Sequence, residues 1–371
     1  MKINFGMWKK ASWELIKMDD KAEWDALDVF SKWLIATRSA VTTVTVYASI
    51  IAGLLAWKDG TFNFLPWLII TIGLFVAHGT NNLLNDYTDF TRGVDADNYF
   101  RTQYGVHPLV QGFWNTKQQI NWFLVSGFIA TICGFYAVWY TFTTHPEALG
   151  NVIALFVFGA IILLFYTWPM KYFAVGEFTI FLIWGPIMVS AVYLVLSGTM
   201  SWMIALAGIP WGLTVASINY AKHTDKMKPD KAKGVGTLPV RVGEPFARAT
   251  TIFTLVAAYG VIIYLVATQF LSPVLLLVLF ALKRAMFAVV ILSKPRPDEP
   301  PAGFEAFWPT YLSGVCFYHN RMFGGLLILG FLLDAAFSKL PTGSVSSLVA
   351  SLIVLGVAAL YAVYNTIKPK K

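Results

Sequence analysis

The chain has 371 residues, of which 57% are hydrophobic, 16% aromatic and only 13% charged, and its formal charge is +8. Soluble domains carry about 25% charged residues, and several apolar runs here reach the roughly 20 residues that cross a bilayer, so a soluble fold is excluded. The basic residues lie in the connections between apolar runs, which sets nucleic acid aside as a partner and makes a lipid bilayer the surrounding medium.

Residues 1–35 are mixed in character. Trp24, Leu27, Phe30, Trp33 and Leu34 recur at helical spacing and predict an amphipathic helix at the membrane interface. The opening stretch has neither a long apolar core nor a small-residue cleavage site, so no cleavable signal peptide is expected. Spans are expected at about 37–57, 62–84, 118–141, 150–167, 177–197, 202–220, 246–268, 272–293 and 311–337, with a tenth at about 345–365. The fold class is therefore all-α, a polytopic bundle of nine core helices plus one. Its parts are an N-terminal segment (1–35), the transmembrane bundle (36–337) and a C-terminal extra span with a basic tail (338–371). Cys133 and Cys316 fall in or near apolar runs, form no metal pattern and read as small buried hydrophobes.

Lysine and arginine sort the connections. Lys9, Lys10, Lys17, Lys21, Lys32 and Arg38 precede the first span, and the connections after even-numbered spans carry many more, among them Arg92, Lys117, Lys231 and Lys294. Those after odd-numbered spans carry almost none beyond Lys58 and Lys339. The N-terminus and both polar loops (about 86–117 and 221–245) are thus expected on the cytoplasmic side of the plasma membrane. The tail Lys368, Lys370 and Lys371 joins them, as an even number of spans requires. A polar, Asp-bearing loop follows span two and another follows span six, which suggests two halves that each contribute one acidic site to a shared cavity.

From His78 to Asp97 the sequence reads HGTNNLLNDYTDFTRGVDAD. On a helix, His78, Asn82, Asn85, Asp86 and Asp89 share one face. Acids at the end of a membrane span are costly to keep, and two carboxylates a turn apart beside Asn85 suit Mg2+ shared with a phosphate. Arg92 and Arg101 are candidates to meet phosphate oxygens in bidentate fashion. Asp95 and Asp97 read equally well as solvated loop residues. His78 and Asn82, deeper in the span, are expected to face the cavity. In the second loop, Asp225 and Asp230 are candidates for a second Mg2+ site. Asn219, Lys222, His223 and Lys226 beside them are candidate substrate contacts, whereas Lys228 and Lys233 read as positive-inside charge. Together these parts imply ionisation of an allylic diphosphate: cations neutralise the leaving group, and an apolar cavity keeps water from the carbocation.

At these loops the chain resembles the UbiA superfamily of intramembrane prenyltransferases. NDYTDFTRGVD (Asn85–Asp95) is similar to the NDYxDxxxGxD form of the menaquinone-type, dihydroxynaphthoate branch. HPLVQG (His107–Gly112) is similar to the (K/R)PLVxG step, YTWPMKYFAVGEFTIFLIWGP (Tyr166–Pro186) to YTxPP…GxGE…FxxxGP, and DKAKGVGTLPVRVG (Asp230–Gly243) to DxxxGxxTLxVxLG. The resemblance implies a nine-helix bundle with a lateral opening to lipid and a polar cap. It implies that Asn85, Asp86, Asp89 and Asp230 bind magnesium–diphosphate, and that Tyr166 and Lys171 line the diphosphate end. Asp86, Asp89, Asp225 and Asp230 are then the expected catalytic acids, and Asn85 joins them as a metal ligand. The second motif departs from the usual DxxxD: Lys226 stands four residues before Asp230, and the acid, Asp225, is one place off. The expected activity is transfer of an isoprenyl group from a prenyl diphosphate to an aromatic or quinone-precursor acceptor, dihydroxynaphthoate first. The alternatives are a family member with another acceptor, a cyclase of the prenyl diphosphate, and an ion-coupled transporter. The transporter predicts acids near the bilayer midplane, whereas these lie at span ends.

Overall fold

The structure is a computed structural model that describes residues 3–97, 100–340 and 347–367. Among the described residues there is no strand, and nine helices are long and apolar enough to cross a membrane. They are α1 (Ser39–Lys58), α2 (Phe64–Thr91), α3 (Thr116–Thr144), α4 (Pro146–Phe165), α5 (Gly176–Ser197), α6 (Trp202–Asp225), α7 (Glu244–Ala267), α8 (Pro273–Leu292) and α9 (Tyr311–Phe337). The chain is an integral membrane protein. The expected tenth span is helical as α10 (Ser347–Ile367) and packs on the first half of α8, whereas the basic tail lies outside the described residues.

α2 runs well past the predicted end, so Asp86 and Asp89 stand on a helix and not in a loop. Gly93 stops it. At φ +70° it takes the left-handed turn, its N–H bonds Phe90 O at 3.0 Å, and Val94 N–H bonds Asp89 O at 2.9 Å. α6 also overruns, carrying Lys222, His223 and Asp225 onto its last turn. α2 packs most extensively on α3, and α6 on α7, which matches the two-half pattern.

α5 is bent at Gly185-Pro186, where Gly185 leaves helical geometry. The bend lets α5 cross α6 at backbone contact. A Cβ on Gly185 would lie 2.9 Å from Gly212 Cα, and one on Gly208 would lie 2.7 Å from Gly185 O. The sequence Gly208-Ile-Pro-Trp-Gly212 is a small-xxx-small face of the kind that brings membrane helices together.

The N-terminal stripe behaves differently from expectation. It is broken at Asp28, whose carboxylate caps a new helix (Val29–Ala36) through Ser31 N at 2.9 Å and also accepts from Trp8 Nε1 at 3.0 Å. Trp24, Leu27, Trp33 and Leu34 are buried in protein rather than at the lipid interface; only Phe30 of the stripe stays exposed. Trp24 stacks on Phe113 of the first polar loop with ring centroids 5.3 Å apart. Val106 N–H bonds Ile16 O at 2.9 Å. The segment therefore braces that loop.

Both polar loops meet at one end of the bundle. Lys233 of the second bonds Asp97 of the first at 2.9 Å, and Val94, Phe100, Tyr104 and Val235 form a small buried cluster.

Candidate active site

The last turns of α2 supply the first acids. Asp86 is 1% exposed. Its Oδ2 accepts from Arg101 Nη2 at 2.8 Å, its Oδ1 accepts from Arg101 Nε at 3.3 Å, and Arg38 Nη2 stands 3.2 Å from Oδ1. An isolated buried carboxylate costs several kcal/mol, so two guanidiniums are the reason it stays inside. Arg101 comes from the short helix Phe100–Gln103, and Arg38 from a left-handed turn (φ +57°) just before α1. Burial pulls Arg101 down, but Asp86 and Tyr104 outweigh it and hold the guanidinium above its ordinary value.

One turn on, Asp89 Oδ2 accepts from Lys171 Nζ at 2.6 Å. Its Oδ1 is buried with no hydrogen-bond partner. Asn85 shares the face and donates to Thr167 Oγ1 at 3.1 Å, which leaves its amide oxygen as an acceptor. In the second loop, fully buried Asp230 accepts from Lys226 Nζ at 3.0 Å and from Thr237 Oγ1 at 3.2 Å. Burial lowers the Lys226 ammonium, yet Asp230 and then Asp89 raise it beyond its ordinary value. Tyr104 is the electrostatic hinge between the loops. Burial alone would push its phenol up, but Lys222, Arg101 and Arg38 bring it down to about 8. Five cations (Arg38, Arg101, Lys171, Lys222, Lys226) thus gather with four carboxylates (Asp86, Asp89, Asp95, Asp230), a net positive balance that suits an anion.

Beside this cluster a cavity of about 480 Å³ lies between α2, α3, α4 and α5. Its walls are apolar, and they reach the exposed side chains of Leu124 and Phe128 on α3. His78, Asn81 and Tyr166 are among its few polar lining residues. Tyr166 joins the two regions: it lines the cavity and feels Lys171 and Asp89 of the cluster, and burial, then Glu177, raises its phenol so that it stays neutral.

Among the described residues no three His, Cys, Asp or Glu side chains come together as a ready-made metal site. The bare Oδ1 of Asp89, with the Asn85 amide oxygen a turn away, fits a hard cation that keeps several waters and takes further oxygens from a phosphate.

The UbiA prenyltransferase family matches residues 46–311, well over half of the sequence. The chain belongs to that family. Among curated relatives, UbiA prenyltransferase domain-containing protein 1 of Danio rerio is 26% identical over 59% of this chain and 64% of its own length. The Rattus norvegicus protein of the same name is 27% identical over 46% and 49%. The chain thus spans about half to two thirds of the relatives it matches. Two solved structures share the fold: a UbiA homolog from Aeropyrum pernix K1 (TM-score 0.53, 14% identity, 77% of this chain and 97% of that one) and a digeranylgeranylglyceryl phosphate synthase (0.52, 16%, 82% and 97%).

The UbiA bundle brings most of the sequence-predicted residues together, with three corrections. Asp225 points away from the cluster. Its oxygens accept from Leu312 N (2.9 Å), Ser313 N (2.9 Å), Ser313 Oγ (2.8 Å) and Arg296 Nε (3.0 Å), so it caps α9 and has no lone pairs to spare for a metal. Asn82 does not line the cavity; its amide donates to Thr37 O at 2.7 Å and pins the turn that presents Arg38. Arg92 is exposed and lies over the Trp168 ring at 4.7 Å rather than over Asp86 or Asp89. His78 does face the cavity, bonded to Thr45 Oγ1 at 2.8 Å and packed on Trp184. His223 Nδ1 bonds Glu177 Oε1, which also accepts from Leu238 N at 2.9 Å. A carboxylate only accepts, so Nδ1 carries the proton and Nε2 is the acceptor of the neutral ring.

Sequence reasoning missed Arg38, Tyr104 and Glu177 as site residues. Arg38 reads as one more positive-inside charge, and nothing local marks Tyr104. Glu177 carries a signal, an acid opening an apolar span.

Proposed function

We propose that the chain is a magnesium-dependent prenyltransferase that moves an isoprenyl group from a prenyl diphosphate to an aromatic, quinone-precursor acceptor. The carrying observation is the junction at Tyr166 between an apolar cavity and a cation-rich, water-poor cluster. The cavity takes the prenyl chain, and Arg38 and Lys222 meet the diphosphate, with Arg101 adding charge while its donors hold Asp86, Gly105 O and Val106 O. A Mg2+ ion on Asp89 and Asn85 would supply Lewis-acid neutralisation of the departing diphosphate. Lys171, already on Asp89, shares that charge. The allylic C–O bond breaks, and its electron pair leaves with the diphosphate. The carbocation is captured by a ring carbon of the acceptor, which then releases a proton. His223 Nε2, oriented through Glu177, is the candidate to receive that proton.

Dihydroxynaphthoate is the leading acceptor, supported by the NDYTDFTRGVD form of the first motif. The altered second motif favours one further reading, an acceptor of another kind or cyclisation of the chain itself. We place the site on the cytoplasmic face of the plasma membrane, supported by the basic residues of both loops. Purified protein given labelled prenyl diphosphates, Mg2+ and a panel of acceptors tests this. Wild type should release diphosphate and form a prenylated acceptor, whereas Asp89→Ala and Asp230→Ala should be slower by about 10²-fold or more. Equal release by all three would overturn the catalytic reading, and diphosphate release with a hydrocarbon product and no acceptor would favour the cyclase.

A further inference from the structure

We propose that the Lys226 ammonium stands where a second divalent cation would otherwise join the two acidic segments, so that this chain binds a diphosphate with a single metal ion. The inference rests on the prenyl-diphosphate reading above and deepens it by stating how many ions the site takes.

The argument is one of acceptor supply. Lys226 is 4% exposed and sits one helical turn before Asp230, with Nζ 3.0 Å from both carboxylate oxygens. Asp230 has no solvent exposure, and Thr237 takes a further lone pair. A divalent ion reaching Asp230 would have to bury its charge beside an ammonium or expel it, and burying like charges together is strongly unfavourable. Asp86 is closed by two guanidiniums, and Asp225 by the start of α9 and Arg296. Three bare carboxylate oxygens remain among the described residues, Oδ1 of Asp89, Oδ1 of Asp95 and Oε2 of Glu177, and none of them belongs to the second acidic loop. The ammonium feels Asp89 as well as Asp230, so it already bridges the two loops electrostatically. A lysine there supplies positive charge at the diphosphate end without a metal. The sequence agrees: where the family pattern has an acid four residues before the last Asp, this chain has Lys226.

The test counts ions directly. Purified full-length chain is titrated with Mn2+ in the presence of geranyl S-thiolodiphosphate, an unreactive prenyl diphosphate, and free Mn2+ is read by electron paramagnetic resonance. Wild type should bind about one Mn2+ per chain, and Lys226→Asp about two, with a melting temperature that rises on adding Mn2+. Lys226→Gln removes the charge, so its affinity for the analogue should fall about tenfold or more. Two ions on wild type, or unchanged analogue affinity in Lys226→Gln, would overturn the proposal. If wild type fails to bind the analogue at any Mn2+ concentration, the prenyl-diphosphate reading fails, and this proposal falls with it.

Discussion

Single side chains here do work that their residue type does not announce. Tyr104 is the clearest case. Its ordinary value of 10.0 is lowered to about 8 by Lys222, Arg101 and Arg38, against burial and against Asp86, which push the other way. A depressed pKa stabilises the fold fully above pH 10, where both states are ionised, and the contribution is lost as pH falls through about 8. The unfolding free energy of wild type relative to Tyr104→Phe should therefore rise between pH 8 and pH 10, by an amount on the order of 2 kcal/mol. Analogue affinity should move oppositely in wild type, because the phenol donates to a phosphate while the phenolate repels it, and should lose that pH dependence in Tyr104→Phe. Asp225 separates structure from chemistry. Asp225→Ala should lower stability by about 3 kcal/mol, since it uncaps α9 and unpairs Arg296, while leaving analogue affinity within about twofold. Loss of affinity without loss of stability would return Asp225 to the site.

At the scale of elements, the crossing of α5 and α6 sets how far the second loop lies from the first. It depends on glycine at a position where a methyl group has no room. A Cβ on Gly212 would lie 2.5 Å from Phe181 O and 2.7 Å from Gly185 Cα, both backbone atoms. Gly212→Ala should cost about 1–3 kcal/mol in thermal unfolding and weaken analogue binding with it, because α6 carries Asn219, Lys222 and His223. Gly159 offers the opposite situation. It lines the cavity on α4, and a Cβ there would meet nothing within 4 Å. Gly159→Leu should fold normally and shorten the longest prenyl diphosphate accepted, which a chain-length series of substrates would show. An unchanged length preference would place the chain elsewhere.

For the whole molecule, the arrangement is a polar cap drawn from four separated segments over a cavity open toward lipid. Its orientation is testable. Single cysteines replacing Lys9 and Lys228, in a background without Cys133 and Cys316, should react with a membrane-impermeant maleimide only from the cytoplasmic face, and one replacing exposed Met200 only from the other. Labelling of Lys9 and Lys228 only from the outer face, with Met200 reacting only from the cytoplasmic face, would reverse the assignment. The opposite end of the bundle is closed by its own ties, Lys58 to Asp334 at 2.9 Å and Tyr193 Oη to Asp59 at 2.6 Å, which lock α1, α5 and α9 together away from the chemistry.

The sequence by itself determined the class, the nine core spans and most of the acids. Each of these is written locally: hydropathy needs about 20 consecutive residues, and the acids of α2 fall at helical spacing, so their shared face follows from the period alone. Tertiary structure decided which acids remain available. Asp86, Asp225 and Asp230 look alike in sequence, yet their partners Arg38 and Arg101, Leu312 and Arg296, and Lys226 reach them mostly from distant segments. A buried carboxylate takes its role from whatever neutralises it, and that neighbour is set by packing across the bundle. The N-terminal stripe shows the same limit. Its period predicts an apolar face, but only the position of Phe113 and Trp114 decides that protein, rather than lipid, covers it.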